Sequence, residues 1–166
     1  RTEAAGGALL LEEQDRGRWD GRLIALGFAQ LSRAASGDEL SELHIEAGIA
    51  SLHALARTWD DTDWQAILHW YDLLAERNAS PVVRLNRAVA LAKVHGAGAG
   101  LREVERLLDE PALATFHLLP AVHGELLAQL GQHAEAAQQF EKAIERCRSG
   151  AERALLEGAG GRLRLG

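Results

Sequence analysis

The chain has 166 residues, 47% apolar and 25% charged, a composition that suits one globular domain with a sizeable core and excludes a disordered chain. Acidic residues number 24 against 18 basic, a net charge of −6 with the basic residues scattered, so direct nucleic-acid binding through phosphate neutralisation is not expected. No apolar run approaches the roughly 20 residues of a membrane-spanning helix. The single cysteine, Cys147, has no partner for an internal disulfide, so a reducing cytoplasm is the expected compartment.

Residues 1–14 read as a linker, loose at Ala5, Gly6 and Gly7, followed by Leu9–Leu11 as a segment able to dock on the body. The absence of methionine and the opening Arg1 lead to the expectation of a fragment or tail of a longer protein. Asp15 is placed to cap a helix through about Ala35, in which Trp19, Leu23, Leu26 and Gln30/Leu31 fall at helical spacing. Gly37 and Asp38 mark a stop and restart. The next helix, about 39–57, is predicted to present Leu43, Ala47, Ala50 and Ala54 on one face. After the acidic turn Trp59–Asp63, the Asp63 carboxylate can cap a helix from Trp64 to about Arg77. Ser80-Pro81 is the clearest helix start, a capping serine with proline at the first helical position. That helix runs to about His95 and stops at Gly96, Gly98 and Gly100. Further helices are predicted at about 101–109, ending before Pro111, at about 116–130, ending at Gly131, and at about 133–147. Ser149 and Glu152 have capping-box spacing for a last helix, which Gly158, Gly160 and Gly161 should weaken. No segment alternates with period two, so the class is all-α.

Positions in these helices recur. Ala66, Gly100 and Ala136 lie 34 and 36 residues apart, and the same intervals relate Trp70, Val104 and Phe140, then Leu73, Leu107 and Ala143, then Leu74, Leu108 and Ile144. A period near 34 with two helices per unit is the tetratricopeptide repeat (TPR) signature. The expected architecture is therefore a TPR-like right-handed superhelix of antiparallel helix pairs, about seven or eight helices over residues 15–157, with a glycine-rich tail at 158–166. Each pair leaves an apolar stripe that only a neighbouring pair can cover. With Gly96 and Gly131 at the TPR turn position, resemblance to the repeat puts Asn86, Lys93, Glu125 and Gln129 on the inner helices. There they are candidates for concave-surface contacts or plain solvated surface.

Catalytic, metal and cofactor chemistry is not indicated. The seven histidines include no His-Glu-x-x-His and no pair four apart, and His53 and His117 read as helix-packing groups. The acidic turn lacks the alternating ligands and closing glutamate of a calcium loop. Gly96, Gly98 and Gly100 follow a helix, whereas a dinucleotide fingerprint follows a strand. No cofactor and no enzyme activity are expected. A pocket near Trp64, Tyr71 and His117 is the best position for a small ligand, should there be one.

Several stretches together resemble the C-terminal extension of one group of bacterial extracytoplasmic-function (ECF) RNA polymerase sigma factors. The first is Leu10 to Asp20, with Asp15, Arg16, Trp19 and Asp20, followed by Leu23-Ile24. Then come Ala50–Ala54 with His53, Asp63-Trp64, Tyr71-Asp72-Leu73-Leu74, Ser80–Val83, Asn86-Arg87-Ala88-Val89-Ala90 and Phe116–Leu119 with His117. The likeness spans about residues 9–157 in consistent order, and departs at Gly158–Gly161, where a charged helical tail is expected. The resemblance implies a TPR-type module that controls a sigma factor's activity. Its expected partners are the parent's own N-terminal sigma domains, core RNA polymerase or another regulatory protein. A TPR-type scaffold of an unrelated protein accounts for the repeat equally well.

Overall fold

The computed structural model describes residues 41–56, 58, 60–147, 150, 153–154 and 156–159. Among these, no strand occurs. Six α-helices follow one another: α1 (Glu42–Leu55), α2 (Trp64–Arg77), α3 (Pro81–His95), α4 (Ala97–Glu105), α5 (Leu118–Gln129) and α6 (His133–Arg146), with a 3-10 turn at Pro111–Leu113. Helical backbone recurs at 150, 153–154 and 156–159. The expected helix from Asp15 to Ala35, with Arg16, Trp19 and Asp20, lies outside the described residues, as do the break at Gly37-Asp38, Trp59, the Ser149/Glu152 cap and residues 160–166.

Local capping chemistry sets the starts of the first three helices. The Asp63 carboxylate accepts from the Ala66 amide at 2.9 Å, which fixes the first turn of α2. Ser80 Oγ accepts from the Val82 amide at 3.3 Å, with Pro81 next to it, and opens α3. α1 begins at Glu42 because Ser41 and His44 cap each other: Ser41 Oγ accepts from the His44 amide at 3.4 Å, and His44 Nδ1 accepts from the Ser41 amide at 3.2 Å. Histidine here takes the place glutamate or glutamine usually holds in a capping box.

Two expectations are corrected. The glycine cluster does not end α3 as a unit. Gly96 alone makes the turn, with φ at +87°, and Gly98 and Gly100 lie inside α4, which starts at Ala97 rather than Leu101. The cause is tertiary. A Cβ on Gly100 would stand 2.6 Å from Ala92 Cβ and 2.7 Å from the Ala88 carbonyl oxygen, so α3 and α4 approach at a distance only glycine permits. The second correction concerns α1, whose inward face is Ile45, Gly48 and Ile49, while Leu43 is 72% exposed and Ala50 faces solvent. Both stripes have helical spacing. The isoleucines bury far more apolar area than a stripe of three alanines and one leucine, and they decide which side faces the core.

Consecutive helices pack side by side, and the short connections, one residue between α3 and α4 and three between α5 and α6, make those neighbours antiparallel. The predicted repeat places α2, α4 and α6 as the second helix of successive pairs, and its columns are tested by burial. Gly100 and Ala136, Val104 and Phe140, and Leu107 and Ala143 are all buried in the last two copies. In α2 the phase is rotated: Ile67, Leu68 and Leu74 are buried, while Ala66, Trp70 and Leu73 are only partly so. The fourth column divides, with Leu74 buried, Ile144 partly buried and Leu108 46% exposed, because α4 ends before Leu108 and releases it to the turn.

The core has two parts. Ile45, Ile49, Ile67, Leu68 and Leu74 join Val83 and Ala90 of α3, with Trp64, Trp70 and Tyr71 packed on the outside. Leu85 and Ala88 of α3 join Leu101, Val104, Leu107, Leu113, Leu119, Leu126, Leu127, Ala136 and Phe140, with Leu156 and Ala159 against them. Helix α3 therefore has both sides buried and ties the parts together.

Candidate functional site

Helix α3 carries the polar groups that link its neighbours. Asp72 of α2 receives the Arg87 Nε–H at 2.6 Å across the turn between the two helices. One turn earlier on α3, the Arg84 guanidinium lies 3.7 Å from Glu103 of α4 and 3.4 Å from Glu110, and Glu103 also holds Arg106 at 3.1 Å. These pairs border an open groove of about 520 Å³ lined by Asp72, Ala75, Glu76, Ala79, Arg84, Arg87 and Glu103. Three carboxylates and two guanidiniums line it, and they neutralise one another in pairs except for Glu76. Asp72 is 45% and Arg87 28% exposed, so their pair joins the helices with the modest strength of a solvent-screened contact.

A second cluster is centred on Trp64. His53 of α1 meets its ring edge-on, with centroids 5.4 Å apart at 74°, and Lys93 Nζ stands 5.8 Å from the ring centroid, within cation–π range. Trp64 thus joins α1 and α3 through its ring. Tyr71, one turn beyond Ile67 on the same helix, has its phenol pushed above the ordinary tyrosine range by burial, with the Glu46 carboxylate adding to the effect.

Six of the sequence-predicted residues, His53, Trp64, Tyr71, Asp72, Arg87 and Lys93, fall into these clusters. Asp72 meets Arg87, and Trp64 meets His53; in each case the partners come from different stretches of the ordered set, and Lys93 also reaches the Trp64 ring. Asp63 is spent on capping α2. The groove is lined by none of Trp64, Tyr71 and His117, the residues beside which a small ligand was expected. Trp64 and Tyr71 pack on the first part of the core, and His117 sits beside Phe116 at 5.9 Å between ring centroids.

The four candidate contact residues Asn86, Lys93, Glu125 and Gln129 are all exposed. Gln129 donates to Glu125 at 3.1 Å within α5. Burial aligns α3 with α5 at an offset of 36, pairing Val83 with Leu119, Ala88 with Gly124 and Ala90 with Leu126. In that register Lys93 matches Gln129, and Val82 matches Leu118; these last two are each 39% exposed. The two helices therefore present a matched outward stripe with an apolar residue at its start and a polar one at its end.

Sequence reasoning missed His123. It lies in α5 at 7% exposure, its Nδ1 shielded and without a hydrogen-bond partner. The register just described puts His123 in the place Arg87 holds on α3, a relation that burial reveals. Among the described residues no three of His, Cys, Asp and Glu gather as metal ligands, and no helix is long and apolar enough to cross a membrane.

No protein-family model matches the chain. It is 37% identical over 156 residues to an uncharacterized protein of Rhizobium meliloti (strain 1021), an alignment that covers 94% of this chain and 36% of the relative. The chain therefore spans little more than a third of the length of the relative it matches.

Proposed function

We propose that this chain is a TPR-type regulatory module of an ECF sigma factor, acting by docking on its parent's sigma domains, on core polymerase or on another regulatory protein. The observation that carries the reading is the matched outward stripe of α3 and α5, Val82 with Leu118 and Lys93 with Gln129, on helices whose other sides are buried. Such a stripe offers a repeated surface for a partner. Further support comes from the resembling stretches themselves: Asp72 with Arg87, and His53 with Trp64, meet at the seams between helices, where residues that define such a module belong. The long relative fits a module attached to further domains. Docking would bias the parent between competent and incompetent states by the difference in its affinity for the two. No catalytic role and no cofactor belong to this reading.

The test is co-precipitation of the chain with the parent's remaining domains and with core polymerase, alongside promoter-specific transcription by the parent with residues 9–157 removed. The expected result is specific capture, lost on Val82→Glu together with Leu118→Glu, and altered transcription on removal. Unchanged transcription under every condition would sink the regulatory reading, and parent domains of another kind upstream of Arg1 would favour an unrelated scaffold.

A further inference from the structure

Thr62 and His123 are the buried polar side chains among the described residues. Thr62 donates to the Thr58 carbonyl at 3.4 Å, whereas His123 holds an unpartnered Nδ1 in the seam between α5 and α6. At the next residue, Gly124, the seam is close: a Cβ there would stand 3.1 Å from the Ala136 carbonyl oxygen and 3.3 Å from Phe140. The charged groups acting on His123 come from both flanking helices, Glu105 from α4 and Lys142 from α6, while the Gln139 side chain of α6 hydrogen-bonds to it. Helix α3 contributes the apolar Leu85 and Ala88 to the same core.

The register gives this arrangement a counterpart. Arg87, at the equivalent place on α3, faces back to Asp72 of the preceding helix α2 and is permanently charged. His123, on α5, is within electrostatic reach of the Glu105 carboxylate of the preceding helix α4, which favours its charged form. One junction between pairs carries a constant cation, and the other holds a cation only when a proton is bound. We propose that His123 is a proton-operated switch at the α4–α5 junction: uncharged, it stays in the α5–α6 seam; protonated, it is drawn toward Glu105 and driven from Lys142, and α6 loosens from α5. The proton comes from solvent, and no other group need change charge.

Burial pushes the His123 imidazole below the ordinary histidine range; Glu105 opposes that push, Lys142 reinforces it and the Gln139 hydrogen bond opposes it. Once the seam opens, the imidazole regains its usual value of about 6.5. The open form therefore binds more protons than the closed one below that pH. Closure is fully favoured above about 6.5 and is lost as pH falls below it toward the closed-form value, by up to about tenfold in the opening constant per pH unit.

Amide hydrogen exchange of α5 and α6, corrected for intrinsic rates, between pH 7.5 and 5.5 tests this in the intact chain. The expected result is opening of α6 that rises as pH falls, together with a flat profile for His123→Gln. Identical profiles for the two proteins would overturn the switch. Should His123→Gln fail to fold, the imidazole titration followed by NMR decides instead. Glu105→Gln, at an exposed position, should lower the His123 titration point and Lys142→Gln should raise it; a titration point indifferent to both overturns the proposal.

Discussion

The two parts of the core are built from the same kind of helix by different means. Around α1 and α2 a core of isoleucines and leucines is covered by large rings, Trp64, Trp70 and Tyr71, that remain partly exposed, and Gly48 faces the Trp70 ring at 3.3 Å from where its Cβ would be. Around α3 to α6 the helices cross on small residues, Ala88 on Gly100 and Gly124 on Ala136, and buried Val104 and Phe140 fill the space beside each crossing. The glycine has changed helix between these two crossings while the position in the pair has stayed the same. Close approach of two backbones needs one glycine and tolerates alanine opposite; it does not matter which helix supplies it. Contact with a ring is more forgiving, because a half-buried ring can move.

The largest effect that sharpens this comparison is Phe140→Ala, expected to cost about 3–5 kcal/mol in chemical denaturation because the emptied space is enclosed. Trp70→Ala removes a larger side chain from a partly exposed place and should cost less than Phe140→Ala. The reverse order would break the contrast between the two parts.

Gly100→Ala and Gly48→Ala differ by the same methyl group on a helix. At Gly100 the methyl meets the Ala88 carbonyl and the Ala92 side chain, and the loss should be about 1–3 kcal/mol. At Gly48 the Trp70 ring has room to yield, and alanine's better helix propensity, about 0.5–1 kcal/mol, offsets the crowding. Thermal unfolding of both variants checks this, with a clear loss in the first and little change in the second.

The smallest expected effect belongs to the ion pair. A double-mutant cycle on Asp72→Ala and Arg87→Ala should give a coupling of about 0.2–1 kcal/mol, shrinking in high salt, because both side chains are substantially exposed. A coupling several times larger that ignores salt would mean the α2–α3 junction is drier than its exposure indicates.

How much was legible follows from where each signal resides. The starts of α2 and α3 could be read because Asp63 and Ser80-Pro81 cap within one turn of their own position. Gly98 and Gly100 were misread as a stop because their reason lies on α3, at Ala88 and Ala92, and glycine's local preference says nothing of that. The wrong face of α1 was predicted because spacing fixes that a helix has a stripe and not which of two stripes is heavier. Asp72, Arg87, His53 and Trp64 were singled out as residues, but their pairings join different helices and carry no local spacing. His123 was invisible for the same reason: a lone histidine in an apolar helix has no motif, and only alignment with Arg87 gives it one.

Native-state hydrogen exchange along the six helices tests the central claim most directly, which is that two differently built parts are joined through α3. The account predicts strongest protection in α3 and its small-residue crossings with α4, and between α5 and α6 at neutral pH, while α1 and α2 open together at lower free energy. Equal protection of α1 and α6, or opening of α3 before α1, would contradict it.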